Sequence, residues 1–346
     1  MNSQSKIRVA VNGYGVIGKR VAAAVAIQDD MELVGVSDVV ADWRPRIASM
    51  KGFKLFGASA EHADAMRKAG LAVSGTVEDL LGSTEIVVDC TPKKVAAKNV
   101  EKYRSRGIKY IVQGGEKHEV TGHSFVAESS YASAVGRSAT RVVSCNTTSI
   151  VRTLSALKRA GLLKKARGTL LRRATDPWES HLGGIMNTLV PEPEIPSHQA
   201  LDAQSVDPDL DVVTMAVKVP ETLAHMHYWV VQMTRSPSKE EVLESFRTSS
   251  RIAFIRMSDN LTAINAVKEM MADLGRPHDN LYEVALWSDM LEVRGDELFY
   301  AYMVDNQAIV VPETIDAVRA LTRRETDGAA SIRKTNAALG IGVLNW

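Results

Sequence analysis

Ile7-Arg-Val-Ala-Val-Asn12-Gly13-Tyr-Gly15-Val-Ile-Gly18 decides how the first part of this chain folds. The apolar run ending at Asn12 reads as a short buried strand, and the glycines lead at once into a helix over Lys19–Ile27. A second apolar run, Leu33-Val-Gly-Val36, then ends in Ser37-Asp38. This is the dinucleotide-binding fingerprint: Gly13 permits a tight turn, Gly15 lets backbone approach a pyrophosphate, and Gly18 allows close helix–strand packing. Val16 and Ile17 complete the turn, with the phosphates at the helix N-terminus. Asp38, twenty residues beyond Gly18, can accept a hydrogen bond from a ribose 2′-hydroxyl and repels a 2′-phosphate, which favours NAD over NADP. Arg44 and Arg46 read as part of a solvated loop that only partly offsets that repulsion, so NADP stays open.

Working outward, the alternation continues. A helix is expected over Ser59–Lys68, a strand over Glu85–Pro92, a helix over Lys94–Arg106 and a strand over Ile108–Gln113. Small residues at the carboxyl ends of parallel strands open a ligand crevice, so Thr91, Pro92, Gly114 and Gly115 are expected on the nicotinamide side. Strand Arg141–Ser144 delivers Cys145 to the same edge, and a helix follows over Thr147–Ala160. Beyond it, strand-like pieces over 170–177, 183–191, 212–220, 225–233, 281–287 and 297–304 have few helices between them. That pattern suggests a mixed or antiparallel sheet. The fold class is therefore α/β: a Rossmann dinucleotide-binding domain (1–143) and an α+β catalytic domain (144–304). Residues 305–346 are read as C-terminal helices that return to the first domain.

Composition narrows the function classes. The chain has 346 residues, 45% hydrophobic and 24% charged, with 42 basic and 41 acidic residues interspersed for a net charge of +1. Nothing in that balance favours nucleic acid or an anionic membrane. No apolar run reaches spanning length, and the polar N-terminus resembles no signal peptide, so a cytoplasmic location is expected. Cys90 and Cys145 offer no disulfide framework and no metal-ligand spacing, and a reducing compartment suits them.

Cys145 sits where an apolar run gives way to a helix. Unpaired N–H groups and the helix dipole there favour an anion, so the thiol should ionise readily and act as a nucleophile. His225 and His227, two apart, share one face of a strand. With a dinucleotide site, these groups suggest covalent oxidation of an aldehyde: the thiolate adds to the carbonyl, an imidazole shuttles a proton, and hydride leaves to form a thioester.

Val11-Asn-Gly-Tyr-Gly-Val-Ile-Gly-Lys-Arg20, Ser144-Cys-Asn-Thr-Thr148, Arg152-Thr-Leu154, Arg172-Arg-Ala-Thr-Asp-Pro177, Pro196-Ser-His198, His225-Met-His227 and Val311–Arg319 together resemble the archaeal-type phosphorylating glyceraldehyde-3-phosphate dehydrogenases. The resemblance runs from about residue 7 to 320. It implies oxidation of glyceraldehyde 3-phosphate with NAD(P) and inorganic phosphate, in glycolysis or gluconeogenesis, by a homotetramer. It makes Cys145 the nucleophile and a histidine of the His-Met-His motif the proton shuttle; His225 is favoured by its spacing, with His227 the runner-up. It places Gly115, Arg172 and Asn306 on the cofactor, and Ser144, Asn146, Thr147, Arg173, His198 and Gln199 on substrate or phosphate. Arg172 and Arg173 carry the bidentate donors that phosphate requires. The rival readings are a related thiol-dependent aldehyde or semialdehyde dehydrogenase of the same fold, and a non-catalytic NAD-binding protein.

Overall fold

The structure, a computed structural model, describes residues 5–113, 115–175 and 188–344. Gly114, Asp176, Pro177 and most of the strand expected over 183–191 lie outside them. The chain divides into two compact units, 1–143 with 311–339, and 144–310 with 340–346. The first division falls between Val143 and Ser144; the second falls between Val310 and Val311 rather than after residue 304, and the last residues belong to the second unit.

The first unit is built on strands β1 (Ile7–Asn12), β2 (Met31–Asp38), β3 (Leu55–Gly57), β4 (Val73–Thr76), β5 (Ile86–Asp89), β6 (Lys109–Gln113), β7 (Ser124–Phe125) and β8 (Ala139–Val142). They form one sheet in the order β4-β3-β2-β1-β5-β6-β8-β7, and every recorded pairing is parallel. Strands covered on both faces need continuous apolar runs, and Val9, Val11, Ile86, Val87 and Val88 are all fully buried. Helices Val310–Thr322 and Gly328–Leu339 return to this unit. Their anchor is Arg319, fully buried, whose Nε and Nη2 donate to Asp30 at 2.8 and 3.0 Å, with further bonds to Gln28 and Thr335. A buried guanidinium is tolerated only with this degree of pairing.

The second unit carries β9 (Leu163–Arg173), β10 (Val190–Pro191), β11 (Val212–Val219), β12 (His225–Met233), β13 (Ile252–Ile255), β14 (Val284–Trp287), β15 (Glu292–Arg294) and β16 (Glu297–Val304). The order is β10-β11-β9-β12-β16-β14-β13, with β15 on β16. The sheet is mixed: β11/β9 and β13/β14 are parallel, and the other pairs are antiparallel. Along β12 burial alternates, so His225, His227, Trp229 and Val231 face inward while Tyr228 and Val230 face out. Helix Cys145–Arg159 also belongs to this unit, its residues from Asn146 to Leu157 buried. It begins two residues earlier than its apolar periodicity suggests, because Ser144 caps it. A helix over His198–Val206 was not expected from the pattern.

Candidate active site

The fingerprint turn in the first unit has the geometry its glycines imply. Gly13 has φ of +91°, and a Cβ there would lie 2.9 Å from the Cys90 carbonyl carbon. A Cβ on Gly18 would lie 1.8 Å from the Gly13 oxygen, so only glycine allows the helix to approach β1. Gly15 is the N-cap of helix Val16–Ala26 and provides no side-chain cap, while a Cβ on it would meet nothing within 4 Å. Open space in front of uncapped helix N–H groups is where a pyrophosphate fits. Gly13, Gly15, Val16, Ile17 and Asp38 line one cavity of about 510 Å³, together with Thr91 and Pro92 from the end of β5. Gly115 is not among its lining residues.

Asp38 is fixed by backbone: its Oδ2 accepts from Tyr14 N–H at 2.7 Å and its Oδ1 from Val39 N–H at 2.6 Å. Oδ1 also accepts from Val40 N–H at 3.3 Å, so Oδ2 is the oxygen that keeps a lone pair for a hydroxyl. The loop expected around Arg44 and Arg46 is instead a helix, Trp43–Met50, because Asp42 caps it and Pro45 falls in its first turn. Arg44 lines the cavity, whereas Arg46 turns away to donate to the Ala69 carbonyl at 2.8 Å. Beneath the cavity, fully buried Asp89 accepts from Tyr103 Oη at 2.7 Å, Asn99 Nδ2 at 3.0 Å and Thr91 N–H at 2.9 Å. This network holds Thr91 in place and was not read from the sequence.

In the second unit Cys145 is the first residue of its helix, and Ser144 Oγ accepts from Thr147 N–H at 3.3 Å. Thr147 is fully buried and its hydroxyl shares a 2.8 Å hydrogen bond with Ser144. The helix terminus does not make the thiol acidic. Burial pushes Cys145 up to about 11, against the smaller opposing effects of Arg173, the Asn146 N–H and Arg172. Desolvation of the thiolate outweighs these opposing effects, so the shift runs against the expectation from position alone.

The two histidines differ in how they are held. His227 is fully buried, with Nε2 2.9 Å from Asn146 Oδ1 and Nδ1 2.9 Å from Tyr302 Oη. Acceptor and hydroxyl thus occupy both ring nitrogens. Burial, then Arg172, lowers its pKa to about 3. His225 accepts the Arg173 backbone N–H at Nδ1, 3.0 Å away. In the neutral ring that bond leaves the proton on Nε2. Its pKa is held well below the usual value by burial, then by His227, Arg173 and Arg172.

Arg172 forms an ion pair with Glu192, whose other oxygen lies 3.5 Å from His198 Nδ1. Gln199 is fully buried; its Oε1 accepts from Ser197 Oγ at 2.6 Å, and its Nε2 has no protein partner. Arg172 Nε and Asn306 Oδ1 are likewise buried and unpartnered. Buried polar atoms left open in this way are atoms that a ligand can satisfy.

Two family profiles match the chain. One, described as the dihydrodipicolinate reductase N-terminus, covers residues 7–115; the other, the glyceraldehyde 3-phosphate dehydrogenase C-terminal domain, covers 144–289. Glyceraldehyde-3-phosphate dehydrogenase of Methanobrevibacter smithii is 44% identical over 335 residues, 96% of this chain and 99% of its own. The chain belongs to the archaeal-type glyceraldehyde-3-phosphate dehydrogenases. The enzymes of Methanosarcina mazei, at 43% over 97% of this chain and 99% of theirs, and of Archaeoglobus fulgidus, at 44% over 97% and 98%, are similar throughout.

For a glyceraldehyde-3-phosphate dehydrogenase, the second unit assembles Cys145, Asn146, Arg172, Arg173, His225 and His227 around the junction of one helix start and two strand ends. Three of its neighbours were missed. Tyr302 holds His227, Glu192 holds Arg172, and Asp305, almost fully buried and paired with Lys268 at 2.7 Å, is a charge near the thiol. Burial is continuous from Tyr300 to Val304, so no period-two pattern singles out Tyr302, and nothing local marks the other two.

Proposed function

We propose that this chain oxidises glyceraldehyde 3-phosphate to 1,3-bisphosphoglycerate, with Cys145 as the nucleophile and inorganic phosphate as the acceptor of the acyl group. The observation that carries this reading is that the cationic end of β9, Arg172 and Arg173, is a charged neighbour of both Cys145 and His225. Anionic reactants and the thiol are thereby drawn to one place. The reaction oxidises an aldehyde to a thioester, and NAD(P)+ held by Gly13, Gly15, Val16, Ile17, Gly18 and Asp38 supplies the hydride acceptor. Gly115, Arg172 and Asn306 are assigned to the same ligand.

The Cys145 thiol releases its proton to solvent, the thiolate sulfur bonds to the aldehyde carbon, and the carbonyl π pair passes to the aldehyde oxygen as negative charge. His225 meets that oxygen with its Nε2–H, the tautomer that its bond from Arg173 favours. Loss of hydride from the adduct leaves an acyl group on sulfur. A phosphate oxygen then attacks the acyl carbon, the C–S bond breaks, and the electron pair returns to sulfur as thiolate. Arg172, Arg173, His198 and Gln199 are assigned to phosphate groups, and Ser144, Asn146 and Thr147 to the shape of the substrate pocket. His227 is assigned to holding Asn146, since both its nitrogens are occupied.

The chain is further proposed to act as a cytoplasmic homotetramer. No described helix is long and apolar enough to cross a membrane, and Met215, Tyr228 and Val230 leave an apolar strip on the outer face of the second sheet. The test is NADH formation from glyceraldehyde 3-phosphate with and without inorganic phosphate. Turnover should depend on phosphate or arsenate; equal rates without either would refute the phosphorylating reading.

A further inference from the structure

The cofactor cavity contains an arginine already engaged. Arg44 is only 25% exposed at its side chain and lines the same cavity as Asp38. Its Nε lies 3.1 and 3.0 Å from the two oxygens of Asp42, and its Nη2 2.5 Å from Asp42 Oδ2. Asp42 itself does not line the cavity. It is fixed from below, because its Oδ1 also accepts the Arg44 backbone N–H at 2.9 Å as the cap of helix Trp43–Met50. Lys102, the other cation of the lining, is paired in the same manner with Glu78, 3.1 Å away.

A guanidinium beside the ribose-reading carboxylate is the group a 2′-phosphate needs. Here Nε and Nη2 are already committed to a carboxylate outside the cavity, and Asp42 outweighs Asp38 as the partner of its charge. We infer that Asp42 is a latch on cofactor choice: while it holds Arg44, the cavity reads a 2′-hydroxyl through Asp38, and releasing Arg44 opens a site for a 2′-phosphate. This rests on reading the fingerprint cavity as the dinucleotide site. It assigns specificity to a residue that need not touch the dinucleotide.

The experiment is direct calorimetric binding of NAD+ and of NADP+ to the full chain, with no turnover involved. Asp42→Asn keeps a side-chain oxygen for the helix cap and removes the charge. The preference for NADP+ relative to NAD+ should rise about tenfold or more, the scale of one freed charge-assisted hydrogen-bonding group. The double variant Asp42→Asn/Arg44→Gln should lose that gain. A ratio within twofold of the parent, with NAD+ still bound, would overturn the latch alone. A gain that survives in the double variant would overturn it too, showing that only the negative charge of Asp42 mattered. If the parent binds neither dinucleotide, the reading of the cavity falls and takes the latch with it.

Discussion

Replacing His225 and His227 separately should produce opposite kinds of damage. In His227→Ala, Asn146 Oδ1 and Tyr302 Oη each lose the imidazole nitrogen that lies 2.9 Å away in a fully buried place. Tyr302 Oη keeps its 3.3 Å bond to Ser149 Oγ, so Asn146 Oδ1 is the group left unpaired, and leaving one buried polar group unpaired costs about 2 kcal/mol, in the middle of a range of about 1–3. For a unit of this size that corresponds to a fall of about 4–8 °C in the melting midpoint. His225→Asn is gentler on the fold, because the amide oxygen can replace Nδ1 as acceptor for the Arg173 N–H. It removes the Nε2–H, however, and loss of a group that acts on charge in the transition state costs about 10²–10⁴ in rate. Melting can be followed by tryptophan fluorescence, since the Trp229 ring lies 6.3 Å from that of His227. Steady-state kcat completes the comparison. A His227→Ala protein melting within about 3 °C of the parent, or a His225→Asn protein keeping more than a tenth of its turnover, would refute the division of labour.

Three other outcomes follow from the charges around the thiol and the buried rings. With the thiol at about 11, iodoacetamide labelling of Cys145 in the ligand-free protein should keep accelerating well above pH 9, and Arg173→Gln should slow it further by removing the largest influence that favours the thiolate; a rate that levels off below pH 8 would contradict this. Glu192→Gln should lower the KM for inorganic phosphate severalfold, because the Arg172 guanidinium no longer has a carboxylate partner; an unchanged KM would show that phosphate binds elsewhere. His123 sits in the first unit with its pKa lowered to about 4, mainly by burial. Its folded form binds protons less readily than its unfolded form, so it contributes stability above pH 6.5 that is lost as pH falls toward 4. His123→Gln should therefore make the acid-side decline of the urea midpoint shallower, and an unchanged slope would assign that decline to other groups.

What the sequence made legible was chemistry fixed by the backbone within a few residues. The Gly13–Gly18 turn needs glycine for reasons visible in the spacing, and the period-two burial of His225 and His227 follows from the strand itself. Cys145 at a helix start was also readable, since Ser144 is a capping residue followed by an apolar periodicity. The electrostatics were not. A helix N-terminus favours a thiolate, yet desolvation is set by residues distant in sequence, and here it wins. The same limit hid the pairing of Glu192, just past β10, with Arg172 at the end of β9, and that of Tyr302 with His227 across β12 and β16. Helix Trp43–Met50 is a different kind of miss: Asp42 and Pro45 are ordinary start signals, obscured by the mixed polarity between them.

The anchoring of Arg319 has a consequence for how the protein is made. Asp30 lies near the start of the chain, and its buried partner emerges from the ribosome 289 residues later. The first unit is drawn from both ends of the sequence, with the whole of 144–310 threaded between them. Until the final helices are synthesised, the nascent Rossmann half lacks part of its own core and carries an unneutralised carboxylate at their docking place. Unit two, though second in the sequence, is almost complete before the first can close, so the order of synthesis and the order of completion run in opposite directions.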